Sequence, residues 1–289
     1  MGFKIKFWGV RGSIACPSPR HVAFGGNTSC IEVAINGNRL ILDAGTGIRN
    51  LGHWLQRKGI NSARLLMPHT HWDHINSFPF FSPAFSKGNE FVVMASHLVD
   101  QGGIEKILAG TMAQPTFPVP LEMMGAQMAF EDFNAGDTLK LFDEFTIRTT
   151  ALNHPNGATG YRIEHRGKSM CYVTDTEHIV GSPDQSILSL IEGSDLVIYD
   201  CTYADKEFPG RVGWGHSTWQ EGARLCQEAG AKTLAIFITT LTMKMASWNR
   251  SKPKRANSGA APSLRAKTCA SICFRRVAPA LYPPILLSK

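Results

Sequence analysis

Residues 69–74 contain three histidines and one aspartate within six positions, in the sequence HTHWDH. They follow residues 64–67 (RLLM), which are predicted as a strand, so their side chains are expected on a tight loop at a strand end. Such a loop can bring several side chains to one ion, and imidazole and carboxylate groups suit zinc, with manganese or iron as alternatives. We therefore interpret residues 69–74 as a metal site rather than as a polar loop that is rich in histidine by accident.

Three further segments carry polar residues at predicted strand ends. Asp43 begins the segment DAGTG, His154 lies in LNHP, and Asp175 follows the strand-like sequence YVT. Taken alone, a loop histidine or a strand-end aspartate is commonplace and typical of a structural role. Their significance depends on their order relative to residues 69–74.

In that order, the four segments resemble the motifs of the metallo-β-lactamase superfamily, and the resemblance covers residues 1 to about 237. It implies an αββα sandwich around two metal ions, and hydrolysis by a hydroxide that both ions share. It also implies the ligands, which are His69, His71 and His154 for the first ion, Asp73 and His74 for the second, and Asp175 as a bridge between them.

Two glycine-rich segments and one helix start favour a substrate that contains phosphate. Residues 9–14 (GVRGSI) and 25–30 (GGNTSC) resemble the branch of the superfamily that holds tRNase Z and cyclic phosphodiesterases. Residues 215–218 (GHST) resemble the His-x-Thr element of tRNase Z-like enzymes and open a predicted helix, where free N–H groups attract an anion. A guanidinium can bind phosphate through two hydrogen bonds, so Arg11 and His216 join Asp73 as candidate catalytic residues. Plain turn chemistry for the glycines and a helix-entry role for His216 are the alternatives.

One ligand of the family pattern is missing from this chain. Related sequences read like FHHDPxH after the strand that we predict at residues 233–237, and a histidine there completes the second metal site. This chain reads FITTLTMKM from Phe237 onward and has no histidine from 217 to 289. The second ion would therefore keep Asp73, His74 and the bridging Asp175.

The loss of one base after the Phe237 codon would explain the missing histidine. With a cytosine restored there, the codons of residues 238–249 can be read as HHDPDHEDGVME, where the third bases of the codons are our choice. Residues 238–289 also hold 10 of the 30 Lys and Arg and none of the 23 Asp and Glu. We hypothesise a hydrolase domain at 1–237 and a frameshifted, poorly ordered basic tail at 238–289. An evolved basic arm is the alternative, and sequencing the gene across the Phe237 codon distinguishes the two.

The expected elements give an α/β fold. Residues 30–43 and 160–175 each predict two strands joined by a tight turn, at Asn36-Gly37 and Arg166-Gly167. Further strands are predicted at 64–67, 196–200 and 233–237, and helices at 48–55, 104–112, 184–191 and from Ser217, in a capping box with Gln220, to Gly230. Residues 78–136, rich in Pro and Gly, are expected as a less regular insertion on the substrate side. These elements predict two sheets packed face to face with helices outside, the αββα arrangement.

Composition bears on location and partners. No stretch approaches the ~20 consecutive apolar residues of a transmembrane helix, and the start of the chain lacks the apolar core of a signal peptide. Seven scattered cysteines without a CxxC pair fit a reducing compartment. We expect a cytoplasmic protein with no membrane partner. The sequence leaves open whether it forms a homodimer.

The sequence as a whole predicts a zinc-dependent phosphodiesterase. The expected substrate is a small phosphodiester or a nucleotide, and an RNA end is less favoured because no long arm for gripping RNA is evident. A thioesterase or lactonase on the same metal core is one alternative, since that core serves several reactions. An inactive metal-binding protein is another, because the second metal site is incomplete.

Overall fold

Two β-sheets packed face to face form the centre of the molecule. The computed structural model describes residues 2–237 and the strand Ile285–Leu286. The strands of the first sheet are β1 (Lys4–Gly9), β2 (Cys30–Ile35), β3 (Asn38–Leu42), β4 (Ser62–Met67), β5 (Glu90–Ala95), β6 (Gln127–Asp132) and β13 (Ile285–Leu286). Their order is β13-β1-β2-β3-β4-β5-β6. Neighbours from β13 to β3 are antiparallel, whereas β3, β4, β5 and β6 run parallel.

The second sheet is built from the second half of the chain. Its strands are β7 (Thr138–Leu141), β8 (Phe145–Leu152), β9 (Ala158–His165), β10 (Lys168–Val173), β11 (Leu196–Asp200) and β12 (Leu234–Phe237). Their order is β12-β11-β10-β9-β8-β7. β9 is antiparallel to both of its neighbours, and β10, β11 and β12 are parallel. Strands β8, β10 and β11 therefore all point the same way.

Helices cover the outer faces of both sheets. They are α1 (Gly47–Arg57), α2 (Trp72–Ile75), α3 (Gly103–Thr111), α4 (Gln185–Ile191) and α5 (Trp219–Glu228). Short 3₁₀ turns lie at Pro19–His21, Phe78–Phe80, Ser82–Phe85, Val99–Gln101, Leu121–Met123 and Phe208–Gly210. Helices α1 and α3 pack on the first sheet, and α4 and α5 on the second. In α1 the buried Ile48, Leu51 and Leu55 recur at helical spacing, which gives the helix one apolar face.

The core between the sheets is built from alternate residues of the strands. Ile31, Val33 and Ile35 of β2 all belong to it, because side chains two positions apart lie on the same face of a strand. At the end of β12 the ring of Phe237 lies with its centroid 5.5 Å from that of Tyr172 on β10. Burial of these side chains stabilises the packing of the two sheets.

Both predicted hairpins are confirmed. β2 and β3 pair around Asn36-Gly37, and β9 and β10 around Arg166-Gly167. All four turn residues have positive φ, with values of 51° and 94° in the first turn and 47° and 76° in the second. Two consecutive positive φ values are what the twist of a two-residue hairpin favours, which is why such dipeptides could be recognised in the sequence.

Two predictions about elements are wrong. Residues 78–136 are not the less regular, substrate-side insertion that was predicted, because they contain β5 and β6, which extend the first sheet. The helix predicted within them is α3. The N-cap of α5 is Thr218 instead of Ser217, since the Thr218 side chain accepts a hydrogen bond from the Glu221 N–H at 3.1 Å.

The predicted basic tail lies outside the described residues, except for Ile285–Leu286. That segment pairs with Lys4 and Ile5 of β1. The division at residue 237 and the frameshift hypothesis remain predictions. In the part of the chain that the structure describes, no helix has the length and apolar character needed to cross a bilayer.

Candidate metal centre

Polar side chains from several strand ends converge at one edge of the sandwich. Parallel strands end on the same side, so the loops that follow them meet there. The converging residues are Asp43 after β3, His69 after β4, His154 after β8, Asp175 after β10, and Asp200 at the end of β11. The single-turn helix α2 begins next to His71 and carries Asp73 and His74.

His69, His71 and His154 form one group of candidate ligands, whose ligand atoms all lie within 4.8 Å of one another. His154 Nε2 lies 3.1 Å from His71 Nδ1, and His154 Nδ1 lies 2.7 Å from the carbonyl oxygen of Gly215. Because a carbonyl can only accept, the proton of His154 is on Nδ1, and the Nε2 lone pair faces the group. Burial lowers the pKa of His154 to about 4, and the nearby His71 adds to this effect.

His69 gives the clearest indication that the group fits a metal ion. It is buried, with 1% of its surface exposed, and neither ring nitrogen has a hydrogen-bond partner among the described residues. Burial, and then the neighbouring histidines, hold its pKa well below the ordinary value, so the ring is neutral and has a free lone pair. A buried polar group without a partner is costly, and a divalent cation bound by three neutral imidazoles would satisfy it.

His74 lies at the centre of a second group that is rich in carboxylates. Its Nε2 is 3.2 Å from Asp73 Oδ2 and 3.3 Å from Asp175 Oδ2. Its Nδ1 is 3.0 Å from Asp43 Oδ2. Burial alone would lower the pKa of His74, but these three carboxylates outweigh it and raise the pKa well above the ordinary value. Three buried carboxylates around one imidazole leave net negative charge, which a divalent cation would neutralise.

Asp43 contacts the Nδ1 atom of His74, on the side of the ring opposite to Asp73 and Asp175. Its Oδ2 also accepts hydrogen bonds from the Ser29 hydroxyl and from the Tyr172 hydroxyl. Asp43 is fully buried, and Tyr172 reaches it from the second sheet. Outer carboxylates of this kind orient a metal-binding imidazole and fix its tautomer.

Asp175 lies between the two groups. Its Oδ1 is 3.7 Å from His69 Nε2, and its Oδ2 is 3.3 Å from His74 Nε2. Burial raises the pKa of Asp175 to about 7, although His74 and His216 oppose this shift. A carboxylate with one oxygen toward each group has the geometry to bind two ions at once.

The sequence did not single out Asp200, which the structure pairs with His216. Asp200 Oδ2 lies 2.9 Å from His216 Nδ1, and that nitrogen is also 3.5 Å from Asp175 Oδ1. Backbone and side-chain donors of Thr202 and the N–H of Thr176 also bond Asp200. Burial would lower the pKa of His216, but Asp200 and then Asp175 raise it to about 9. A signal was present, because Asp200 ends a predicted strand and is followed at once by a polar loop, as Asp175 is.

The loop after β1 contacts the second group through its backbone. The Ser13 N–H donates to Asp73 Oδ2 at 2.8 Å, and together with His74 it holds the pKa of Asp73 well below its usual range although burial acts in the opposite direction. Arg11 is buried, with 3% exposure, and its Nε donates to the carbonyl of Gly25. It thereby links the two glycine-rich segments, and its contact with phosphate stays a prediction.

His97, which the sequence did not single out, lies beside the first group. It lines a small cavity of about 20 Å³ together with His69 and His71. Its Nδ1 is buried without a hydrogen-bond partner among the described residues. Burial, and then His71 and His154, lower its pKa to about 4. The end of β5, which the sequence analysis missed, is what brings this side chain to the site.

The matched family is consistent with this geometry. Residues 38–238 match the family described as Beta-lactamase superfamily domain. The chain belongs to this superfamily. The predicted metallo-β-lactamase fold is thus confirmed, and the chain is a hydrolase of the superfamily whose histidine and aspartate clusters suit divalent metal ions.

Individual relatives agree with the family. The chain is 23% identical over 285 aligned positions to Ribonuclease Z of Haloarcula marismortui, covering 82% of this chain and 86% of the relative. Its structure is similar to human tRNase Z, short form, with a TM-score of 0.61, 18% identity and coverage of 82% of this chain and 93% of that chain. It is also similar to a diphosphatase from the PhnP family, with a TM-score of 0.63, 17% identity and coverage of 87% and 92%. At such identities the structural likeness establishes the fold alone.

Proposed function

We propose that this superfamily member hydrolyses phosphodiesters with the help of two divalent ions, of which zinc is the best match to the ligands. The observation that carries the proposal is the pair of Asp200 and His216 in contact with Asp175. An imidazole held by carboxylates at the edge of a metal cluster provides positive charge where a phosphoryl group would lie. A neutral thioester or lactone carbonyl needs less such charge, so the pair favours phosphodiesters.

Six side chains would hold the ions. We assign the first ion to His69, His71 and His154, the second ion to Asp73 and His74, and the bridge to Asp175. Ions bound there would polarise the phosphoryl oxygens and activate a water molecule for attack. The fit rests on the unpartnered nitrogens of His69 and on the excess of carboxylates around His74.

The remaining residues orient the ligands and the substrate. Gly215 fixes the tautomer of His154, and the Ser13 N–H fixes the rotamer of Asp73. With Nδ1 of His216 directed at Asp200, its Nε2 is the atom that can donate to a phosphoryl oxygen and neutralise the charge that develops on it. Arg11 is proposed for the same task through the glycine-rich loop.

The proposed substrate is a small phosphodiester or a nucleotide. The name of the relative from Haloarcula marismortui, Ribonuclease Z, supports a phosphodiester of nucleic-acid type. An RNA end is the second candidate. We also propose that residues 238–289 arise from a frameshift that removed the last ligand of the second ion, so that the chain as given has reduced activity.

Turnover of substrate panels tests the reaction type. We expect the restored-frame protein to hydrolyse bis-p-nitrophenyl phosphate and to act more weakly on thioester and lactone panels. A preference for thioesters or lactones would contradict the proposal and favour the alternative hydrolase. If the restored-frame protein binds metal but is inactive on every panel, it is a metal-binding protein without this activity.

A further inference from the structure

An exposed tryptophan lies on the loop that leads into the candidate centre. The side chain of Trp214 is 58% exposed, although indole rings bury favourably. The guanidinium carbon of Arg211 lies over the ring, 4.7 Å from its centroid. This is a cation–π arrangement, and it leaves more than half of the indole open to solvent.

The loop that carries Trp214 is held firmly. The carboxylate of Glu177 accepts hydrogen bonds from the N–H of Gly213 at 2.8 and 2.9 Å, and from the N–H of Gly215 at 2.8 Å. The N–H of Trp214 donates to the carbonyl of Arg211 at 3.1 Å. The indole is therefore presented by a backbone that is already ordered, which lowers the entropic cost of binding a ligand on it.

The same loop contacts residues of the candidate metal centre through hydrogen bonds. The carbonyl of Gly215 lies 2.7 Å from His154 Nδ1, and the next residue, His216, contacts Asp200. A side chain at position 215 has no room, because a Cβ there would lie 2.3 Å from His154 Nδ1. Trp214 is therefore one residue before Gly215, which contacts the candidate ligand His154, and two residues before His216, the candidate phosphate-binding residue.

We infer that Trp214, backed by Arg211, is a stacking platform for the nucleobase of the substrate. The inference rests on the proposed function and narrows its substrate class to phosphodiesters that carry an aromatic base. Stacking of bases on aromatic side chains depends little on base identity and contributes about tenfold or more to affinity. The positive charge of Arg211 would strengthen stacking on the indole and attract the phosphate group of the substrate.

Equilibrium binding to the full-length chain in zinc-containing buffer tests the platform. We compare adenosine 5′-monophosphate with ribose 5-phosphate by calorimetry, because the two ligands differ in the base. We expect the nucleotide to bind about tenfold more tightly, Trp214→Ala to remove most of that ratio, and Trp214→Phe to retain most of it. Val212→Ala is the matched control, since Val212 is 63% exposed on the same loop, and it should retain the ratio.

Two results would overturn the inference. One is equal affinity for the two ligands in the unmodified chain, which would make a protein partner the better explanation for the exposed indole. The other is an unchanged ratio in Trp214→Ala, with folding checked by thermal melting. The experiment measures binding alone, so a base preference that is lost in Trp214→Ala would support the platform even if the separate turnover panels contradicted phosphodiester hydrolysis.

Discussion

Asp175 contacts every part of the candidate centre, with His69, His74 and His216 all within 3.7 Å of its oxygens. In the proposed assignment, each of the other ligands holds one ion. Replacement of Asp175 therefore disturbs both ions and the pair of Asp200 and His216 at once, whereas replacement of a single histidine disturbs one ion.

Asp175→Ala should lower the phosphodiesterase activity of the restored-frame protein by about 100-fold or more and weaken metal retention, because a shared ligand is lost. Activity is measured on bis-p-nitrophenyl phosphate, and metal by elemental analysis after dialysis. Glu105→Ala, which removes an exposed carboxylate on α3, is the control. Near-normal turnover with full metal content would mean that Asp175 only ends a strand.

Asp200→Asn should lower the pKa of His216 in the metal-free protein. Burial lowers that pKa and Asp200 is the largest opposing influence, so without its charge the pKa should move from about 9 toward or below 6.5. Because the folded-state pKa is raised, the pair stabilises the metal-free fold below about pH 6.5 and loses this contribution as the pH rises through about 9. An NMR titration of the His216 ring measures the pKa, with Asp100→Asn as control. An unchanged pKa would contradict the pairing.

At the scale of elements, the start of α5 shows where local sequence is ambiguous. Ser217-x-x-Gln220 and Thr218-x-x-Glu221 both match a capping box, and they differ by one position. The structure uses Thr218, because the Ser217 hydroxyl already contacts His178 Nδ1 at 2.8 Å and the Tyr199 hydroxyl at 3.0 Å. These partners come from distant parts of the chain, so the sequence alone could not separate the two candidates.

The same reasoning explains the other outcomes at this scale. The hairpins were predictable because their turns depend on neighbouring residues, such as Asn36-Gly37 and Arg166-Gly167. Strands β5 and β6 were missed because the Pro- and Gly-rich composition of residues 78–136 favoured irregular structure, although residues 91–95 (FVVMA) are a continuous apolar run of strand length. Missing β5 also meant that the position of His97 could not be foreseen.

Thr218→Ala should lower the free energy of unfolding by about 1 kcal/mol, since the Glu221 N–H loses its cap. The loss should be larger if the hydrogen bond from Thr218 to Asp205, at 2.7 Å, also contributes. Chemical denaturation gives the value. Thr218→Ser keeps the hydroxyl and should retain most of the stability. An equal loss in both variants would point to the threonine methyl group instead of the cap.

For the whole molecule, the candidate centre depends on both sheets. His69, His71 and His74 come from the first sheet's loops, and His154 and Asp175 from those of the second. Six candidate ligands could be predicted because their order along the chain resembles a known family. Asp200 had only a weak signal, the end of a predicted strand followed by a polar loop, and His97 had none, because their proximity to the centre depends on how the elements pack.

The chain as given should retain about one tightly bound zinc, and the restored-frame protein two. The first ion keeps three imidazoles and Asp175, which suffice for a tetrahedral site, whereas the second lacks its last histidine. Elemental analysis after dialysis of both proteins, side by side, measures this. Two ions retained by the chain as given would show that another residue supplies the missing ligand, and Asp200, whose oxygen lies in one group of possible ligands with Asp175 and His216, is a candidate.

The three contacts on Asp43 have a consequence for how this protein can evolve. Ser29, Tyr172 and His74 all contact the same carboxylate oxygen of Asp43. Either hydroxyl can therefore be lost by substitution while the other still restrains the carboxylate. Loss of both would release Asp43 and, with it, the imidazole of His74. Positions 29 and 172 are therefore expected to show epistasis, with each substitution tolerated only in lineages that keep the other hydroxyl.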